Sequence, residues 1–70
     1  MADITIPYGF AYRNLDDTTT PNVVYRGYNH LGVAASSESW AISATNSVTN
    51  QVRWAYNVAW NDRATANFYW

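Results

Sequence analysis

The sequence predicts an all-β fold: a small antiparallel sheet or half-barrel of about five strands, with at most one short helical turn. Aromatic and β-branched residues recur with a period of two along most of the chain, as they do in strands that bury one face. Clusters of Asn, Asp, Thr, Ser, Pro and Gly separate these runs. No long segment carries the i, i+3, i+4 apolar stripe of an amphipathic helix.

The first predicted strand covers residues 8–13, where Tyr8, Phe10 and Tyr12 alternate with Gly, Ala and Arg. The segment that follows, NLDDTTTPN at residues 14–22, is rich in side chains that favour local turns. We therefore expect a surface loop there.

The second predicted strand is VVYRGY, residues 23–28. Gly27 weakens a strand interior, so we expect it to mark either a bulge or a close approach of another group to the backbone. Residues 29–39 form a connector with space for one short helical turn.

A hairpin is predicted next. Residues 40–45 and 52–56 both alternate, and the turn formers of 45–50 lie between them. With a simple register, Trp40 and Trp54 would lie on the same buried face.

The C-terminal part is predicted to contain an ordered turn and a last strand. Residues 57–63 break the alternation, with Trp60 as the apolar anchor of the turn, and residues 64–70 alternate again. Within the turn, the carboxylate of Asp62 is placed to receive an arginine, either Arg63 or another. The whole chain, 1–70, is expected to form a single β domain.

Composition indicates a protein that works through contacts with other proteins. Charged residues make up 13% of the chain, every basic residue except His30 is an arginine, and the chain has 6 Tyr and 4 Trp. Tyr, Trp and Arg are the residues enriched at protein interfaces. The net charge of −1 makes nucleic acid an unsuitable main partner. Neither a secretory signal nor an apolar run of membrane length is visible, so no membrane partner is predicted.

The size of the chain favours assembly. A domain of 70 residues is near the lower limit of independent stability, and small domains commonly add disulfides, a metal or oligomerisation. Cysteine is absent and His30 is the only histidine. We therefore expect a homo-oligomer or a subunit docked on a larger partner.

Catalytic and cofactor signatures are weak. His30 has no second and third metal ligand at a recognisable spacing. A Ser-His-Asp site would lack the G-x-S-x-G elbow, and Asp16 and Asp17 read as an ordinary turn rather than an acid–base pair. No glycine-rich phosphate loop is present. The prediction is a non-enzymatic protein without a cofactor.

Four segments together resemble a family of small proteins encoded among the structural genes of tailed bacteriophages. They are YRG at residues 25–27, SSESWAIS at 36–43, RWA at 53–55 and VAWNDRATANFYW at 58–70. The resemblance covers nearly the whole chain. It implies a β-rich virion component, made in the host cytoplasm and incorporated into the particle, with no enzymatic activity.

The expected function is therefore that of a capsid decoration or cement subunit bound to the major capsid protein or other virion subunits. A tail, neck or baseplate component is an alternative in the same class. A carbohydrate-binding module, with aromatic faces stacked on sugar rings, is an alternative from another class. The residues predicted to form the interface are the surplus aromatics and one arginine: Tyr8, Tyr28, Trp60, Arg63, Tyr69 and Trp70.

Overall fold

The computed structural model describes residues 6–68 and confirms the all-β prediction. Four antiparallel strands form one sheet in the order β1-β2-β3-β4. A short 3₁₀ helix follows the last strand. The elements are β1 (Ala11–Asp16), β2 (Val23–Asn29), β3 (Trp40–Asn46), β4 (Val52–Val58) and the 3₁₀ helix (Trp60–Asp62).

Strands β2, β3 and β4 lie where the sequence predicts them and extend slightly further at their C-terminal ends. The first strand differs. It begins at Ala11 because the preceding residues form a turn, in which the Phe10 N–H donates to the Pro7 carbonyl at 3.1 Å and Gly9 has a φ of 85°. This positive φ belongs to the left-handed region that glycine tolerates, and it interrupts the extended conformation predicted from residue 8.

The predicted fifth strand does not form over residues 64–68. The turn at Trp60 continues instead: the Arg63 N–H donates to the Trp60 carbonyl at 3.2 Å and the Thr65 N–H donates to the Asp62 carbonyl at 3.1 Å. These i+3 bonds use donors that a sheet ladder would need. The last two residues of the predicted strand lie outside the described part of the chain.

The hydrophobic core lies on one face of the sheet, which we call the core face. Tyr25, Trp40, Ile42 and Trp60 are buried together there. The connector between β2 and β3 and the segment after β4 cover this face. They are tied to each other by the Asn61 N–H, which donates to the Ala35 carbonyl at 3.2 Å.

Gly27 makes room for the Trp60 indole. A Cβ atom at this position would lie 2.6 and 2.8 Å from Cε3 and Cζ3 of Trp60. The predicted close approach at Gly27 is thus confirmed. The bulge lies on the neighbouring strand instead, between Tyr12 and Asn14 of β1.

Arg13 is the extra residue of this bulge, and its side chain reaches the core face. Its guanidinium lies 5.1 Å from the centre of the Trp40 ring and donates to the carbonyls of His30 and Val33 at 3.1 and 2.7 Å. Arg13 therefore joins β1 to the connector while its charge lies over an aromatic face.

The prediction that Trp40 and Trp54 share a buried face is wrong. In the β3–β4 hairpin Thr45 pairs with Val52, so the residue opposite Trp54 is Ser43. Ser43 lies an odd number of positions from Trp40, and side chains alternate between faces along a strand. The register of the β3–β4 pairing therefore places Trp54 on the face opposite the core.

Candidate functional site

The face of the sheet opposite the core carries side chains from all four strands, and we call it the open face. Strand register and alternation assign the following residues to it: Tyr12 and Leu15 from β1; Val24, Arg26 and Tyr28 from β2; Ala41, Ser43 and Thr45 from β3; Val52, Trp54 and Tyr56 from β4.

Four aromatic rings form a continuous run across the open face. The ring centroids of Tyr12 and Tyr28 are 5.5 Å apart, those of Tyr28 and Trp54 are 5.6 Å apart, and those of Trp54 and Tyr56 are 6.1 Å apart. The last two rings are parallel to within 7°. These spacings fall in the range of favourable aromatic pairs. We call these four residues the aromatic shelf.

Small residues of the central strand lie beneath the shelf. Neighbouring strands are separated by about 4.8 Å, so β2 and β4 lie roughly 9.6 Å apart with β3 between them. The rings of Tyr28 and Trp54 are 5.6 Å apart, so they approach each other over β3. Accordingly Ala41 and Ser43 are only 1% and 3% exposed, although they lie on the open face.

The shelf leaves a large part of its apolar surface uncovered. Tyr12 is 53% exposed and Tyr56 is 40% exposed. Leu15 and Val52, on the same face, are also exposed. Isolated exposed apolar residues are ordinary, but a contiguous apolar patch on a soluble domain marks a surface that something else covers.

The open face carries little charge. Arg26 is the only ionised side chain among the open-face residues at neutral pH, and its guanidinium donates to the Thr45 hydroxyl at 3.3 Å. Burial raises the pKa of the Tyr56 phenol above its usual value, so its hydroxyl stays neutral at physiological pH. No Asp, Glu, Asn or Gln occupies an open-face position of these strands. The surface is therefore suited to apolar packing rather than to binding a highly polar ligand.

The predicted interface residues fall in different places. Tyr28 is part of the shelf. Tyr8 is fully exposed in the turn that precedes β1. Tyr69 and Trp70 lie outside the described residues.

Trp60 and Arg63 belong to the core face. Trp60 is 8% exposed and packs with Trp40 at a centroid distance of 6.0 Å. The Arg63 guanidinium lies 4.5 Å from the centre of the Trp60 ring, and its Nε donates to Oδ2 of Asp16 at 2.8 Å. Both residues thus fix the C-terminal turn to the sheet of the same chain, so they are not part of the open face.

The carboxylate that pairs with Arg63 is Asp16 at the end of β1, not Asp62 as the local sequence suggested. Asp16 also accepts hydrogen bonds from the backbone amides of Thr18 and Thr19. Hydrogen bonds from Thr19 and Thr18, followed by that from Arg63, hold the pKa of Asp16 well below its usual range. The side chain organises the β1–β2 loop, but Asp16 itself is the last residue of β1 and pairs with Tyr25, so the loop predicted at residues 14–22 begins only after it.

Three members of the shelf, Tyr12, Trp54 and Tyr56, were not among the predicted interface residues. A signal for them exists in the sequence. On β3 the large residues Trp40 and Ile42 alternate with small ones, and Ile42 pairs with Ala55 of β4. Pairing large with small residues on the core face would have assigned Trp54 and Tyr56 to the other face.

A small cleft lies at one end of the core face. It is a cleft of about 250 Å³ whose apolar lining includes Val23, Tyr25, Ala44 and Phe68, with Arg53 at its side. Sites for small molecules usually enclose about 300 to 1,000 Å³. The cleft is therefore smaller than most such sites.

The described residues offer no metal centre. Between residues 6 and 68 no group of three or more His, Cys, Asp or Glu side chains is placed to hold an ion. The His30 ring instead packs edge-on against Phe10 at a centroid distance of 4.8 Å. In the same part of the chain, no helix has the length and apolar character needed to cross a membrane.

Comparison of the chain with models of known protein families, with curated proteins and with solved structures gives no match. The open face and the resemblance carried by the four sequence segments are therefore the two indications of function.

Proposed function

We propose that the protein is a non-enzymatic structural subunit of a tailed-bacteriophage virion, which docks on its neighbours through the open face. The observation that carries this proposal is the aromatic shelf, a run of Tyr and Trp rings from β1, β2 and β4 whose two end members, Tyr12 and Tyr56, are exposed. The resemblance of the sequence segments to phage structural proteins supplies the virion context. Within that context we favour a capsid decoration or cement subunit bound to the major capsid protein or to other virion subunits.

The chemistry of the open face supports protein docking. Tyr and Trp contribute much of the binding energy at protein interfaces because their rings give a large contact area with few rotatable bonds. The rings of the shelf are already held against each other and over Ala41 and Ser43. Little side-chain entropy is therefore lost when a partner covers them.

The same face gives little support to catalysis. A catalytic site needs titratable or nucleophilic groups gathered in a cleft. Here Arg26 lies beside uncharged side chains on the open face of the sheet, and its guanidinium donates to the Thr45 hydroxyl. A binding role is the more economical interpretation.

A tail, neck or baseplate location is compatible with the same docking surface. Quantitative mass spectrometry of purified virions separates the two locations. Several hundred copies per particle support the capsid, whereas about a dozen or fewer support the tail, because the symmetry of each structure sets its copy number.

Carbohydrate binding is the second candidate, favoured by the nearly parallel rings of half-buried Trp54 and exposed Tyr56. Sugar hydroxyls require hydrogen-bond partners beside such rings. The open face offers mainly Arg26 and the tyrosine hydroxyls for this purpose. Binding of the isolated protein to a glycan array, abolished by Trp54→Ala, would favour this candidate over the virion subunit.

The central test is incorporation into virions. Phage carrying the double substitution Tyr12→Ser and Tyr56→Ser should assemble particles that lack the protein or contain much less of it. Val48→Ser is the matched control, because Val48 is exposed in the turn between β3 and β4. Circular dichroism of the purified variants establishes that both are folded. Normal incorporation of the folded double variant would contradict docking through the open face.

A further inference from the structure

We infer that the occupant of the open face is a second copy of this chain, packed face to face so that two four-stranded sheets form a sandwich. The inference rests on the proposed function, since it uses the same docking surface, and it names the first partner of that surface. The observations behind it are the thickness of the molecule, the composition of the open face and the irregular edges of the sheet.

Over residues 6–68, the sheet has one covering layer, whereas a β domain usually has two packed sheets. Its extents are 32 × 31 × 18 Å. Stacked sheets lie about 10 Å apart, so 18 Å of thickness fits one sheet with a single layer of chain over the core face. An identical sheet has the same twist as the surface it must cover, which is the geometry of aligned sheet packing.

The composition of the open face suits a partner with the same face. Apart from Arg26, its side chains are aliphatic, aromatic or hydroxyl-bearing, so a covering surface should bring few charges and no carboxylate in need of solvent. A second copy meets this condition. Each copy adds one guanidinium, for which the rings of the opposite shelf are suitable neighbours.

The area available is sufficient for a modest dimer. An aromatic side chain offers about 150 to 250 Å², so the exposed parts of Tyr12 and Tyr56 contribute roughly 100 Å² each. Leu15, Val52 and the half-buried residues bring the open face to roughly 500 Å² per copy. The dimer would bury about 1,000 Å² in total, near the lower limit of specific interfaces. We therefore expect a dissociation constant in the micromolar range.

The edges of the sheet are less suitable for pairing between copies. Strand β1 carries the bulge at Arg13, and the C-terminal part of β4 contains Asn57 with a positive φ of 58°. Bulges and irregular backbone at edge strands oppose the addition of another strand. Face-to-face packing uses the regular middle of the sheet instead.

Sedimentation velocity of the purified chain over a series of concentrations tests this inference. The wild-type protein should shift from monomer to dimer as its concentration rises. Tyr56→Glu places a carboxylate in the apolar interface and should raise the dissociation constant by about tenfold or more. Val48→Glu adds the same charge in the β3–β4 turn and should leave the dimer unchanged. The thermal midpoint of the wild-type protein should also rise with concentration, which tests the dimer without any variant.

A wild-type protein that remains monomeric at every concentration, with a constant thermal midpoint, would overturn the inference. So would a dimer that Tyr56→Glu leaves intact. The proposed function has a separate readout. If the monomer enters virions through the open face, only the dimer fails; if the dimer forms but purified virions lack the protein, the dimer stands and the virion role fails.

Discussion

Tyr28 and Trp54 lie on strands that are not neighbours, yet their ring centroids are 5.6 Å apart. The contact exists because β3, which separates their strands, presents only Ala41, Ser43 and Thr45 on this face. The rings lean over these small side chains and bury the first two of them. The four rings of the aromatic shelf are thereby held in place on one face of a single sheet.

Ala41→Leu should disrupt this arrangement. The added atoms would occupy the space under the rings of Tyr28 and Trp54, and we expect the free energy of unfolding to fall by about 1 to 3 kcal/mol. Near-ultraviolet circular dichroism should report the altered ring packing. Ala34→Leu is the matched control, since Ala34 is exposed in the connector and should tolerate the larger side chain. Equal stability of the two variants would contradict ring coverage of β3.

Gly27→Ala should destabilise the core face. Its methyl group would lie 2.6 Å from Trp60, closer than non-bonded carbon atoms approach, so the indole or the strand must move. We expect a loss of about 1 to 3 kcal/mol in urea denaturation. The loss should be clearly smaller when Gly27→Ala is introduced into a Trp60→Leu background, because the clash is then reduced. Additive effects of the two substitutions would argue against the direct contact.

The same Trp→Phe substitution on the core face and on the open face should have different effects on stability. Trp40 is 1% exposed and its Nε1 donates to the Ala34 carbonyl at 2.9 Å. Trp40→Phe should therefore cost about 2 kcal/mol or more in stability, since it leaves a cavity and removes the indole hydrogen bond to a carbonyl that keeps only the Ser37 N–H as donor. Trp54→Phe should cost less than about 1 kcal/mol, because the smaller ring keeps its place on a partly exposed surface. Comparable losses in urea denaturation would contradict the assignment of faces.

Asp16 should make stability depend on pH in acid. Hydrogen bonds from Thr19 and Thr18, together with Arg63, keep the pKa of Asp16 in the folded state below its unfolded value of about 4. At pH values between the two pKa values the unfolded chain binds more protons, so stability decreases as pH falls below about 4. Urea midpoints measured from neutral pH downward should show this decrease.

Asp16→Asn keeps an oxygen for the backbone amides but removes the negative charge opposite Arg63. We expect lower stability at neutral pH and a shallower decline in acid. Asp17→Asn is the control, because the exposed Asp17 follows Asp16 directly and a substitution there should preserve the wild-type decline. An unchanged acid profile in Asp16→Asn would show that another group is responsible.

Local patterning predicted the strands well and the faces less well. Period-two alternation located β2, β3 and β4, and the apolar character of Trp60 identified it as the anchor of a turn. Alternation alone does not state which face of a strand is buried when both sets of residues are apolar. In β4, Trp54 and Tyr56 alternate with small Ala55, and the pairing register sends the small residue to the core.

The two ends of the fold depend on contacts that sequence patterns do not contain. The alternating residues 64–70 predicted a strand, but residues 64–68 form none, and the Thr65 N–H donates within the turn at the 3₁₀ helix instead. Arg63 pairs with Asp16, at the end of β1, and not with its sequence neighbour Asp62. Both outcomes follow from the packing of Trp60 in the core, which places the C-terminal turn and Arg63 beside the end of β1.

Docking through the open face predicts that another subunit covers it when the protein performs its role. Hydroxyl-radical footprinting by mass spectrometry, on intact particles and on the dilute purified chain, measures this most directly. We expect Tyr12 and Tyr56 to lose reactivity several-fold in the particle, while exposed Leu31 and Val48, which lie in connecting segments, serve as references. Equal reactivity of Tyr12 and Tyr56 in the two states would contradict the claim.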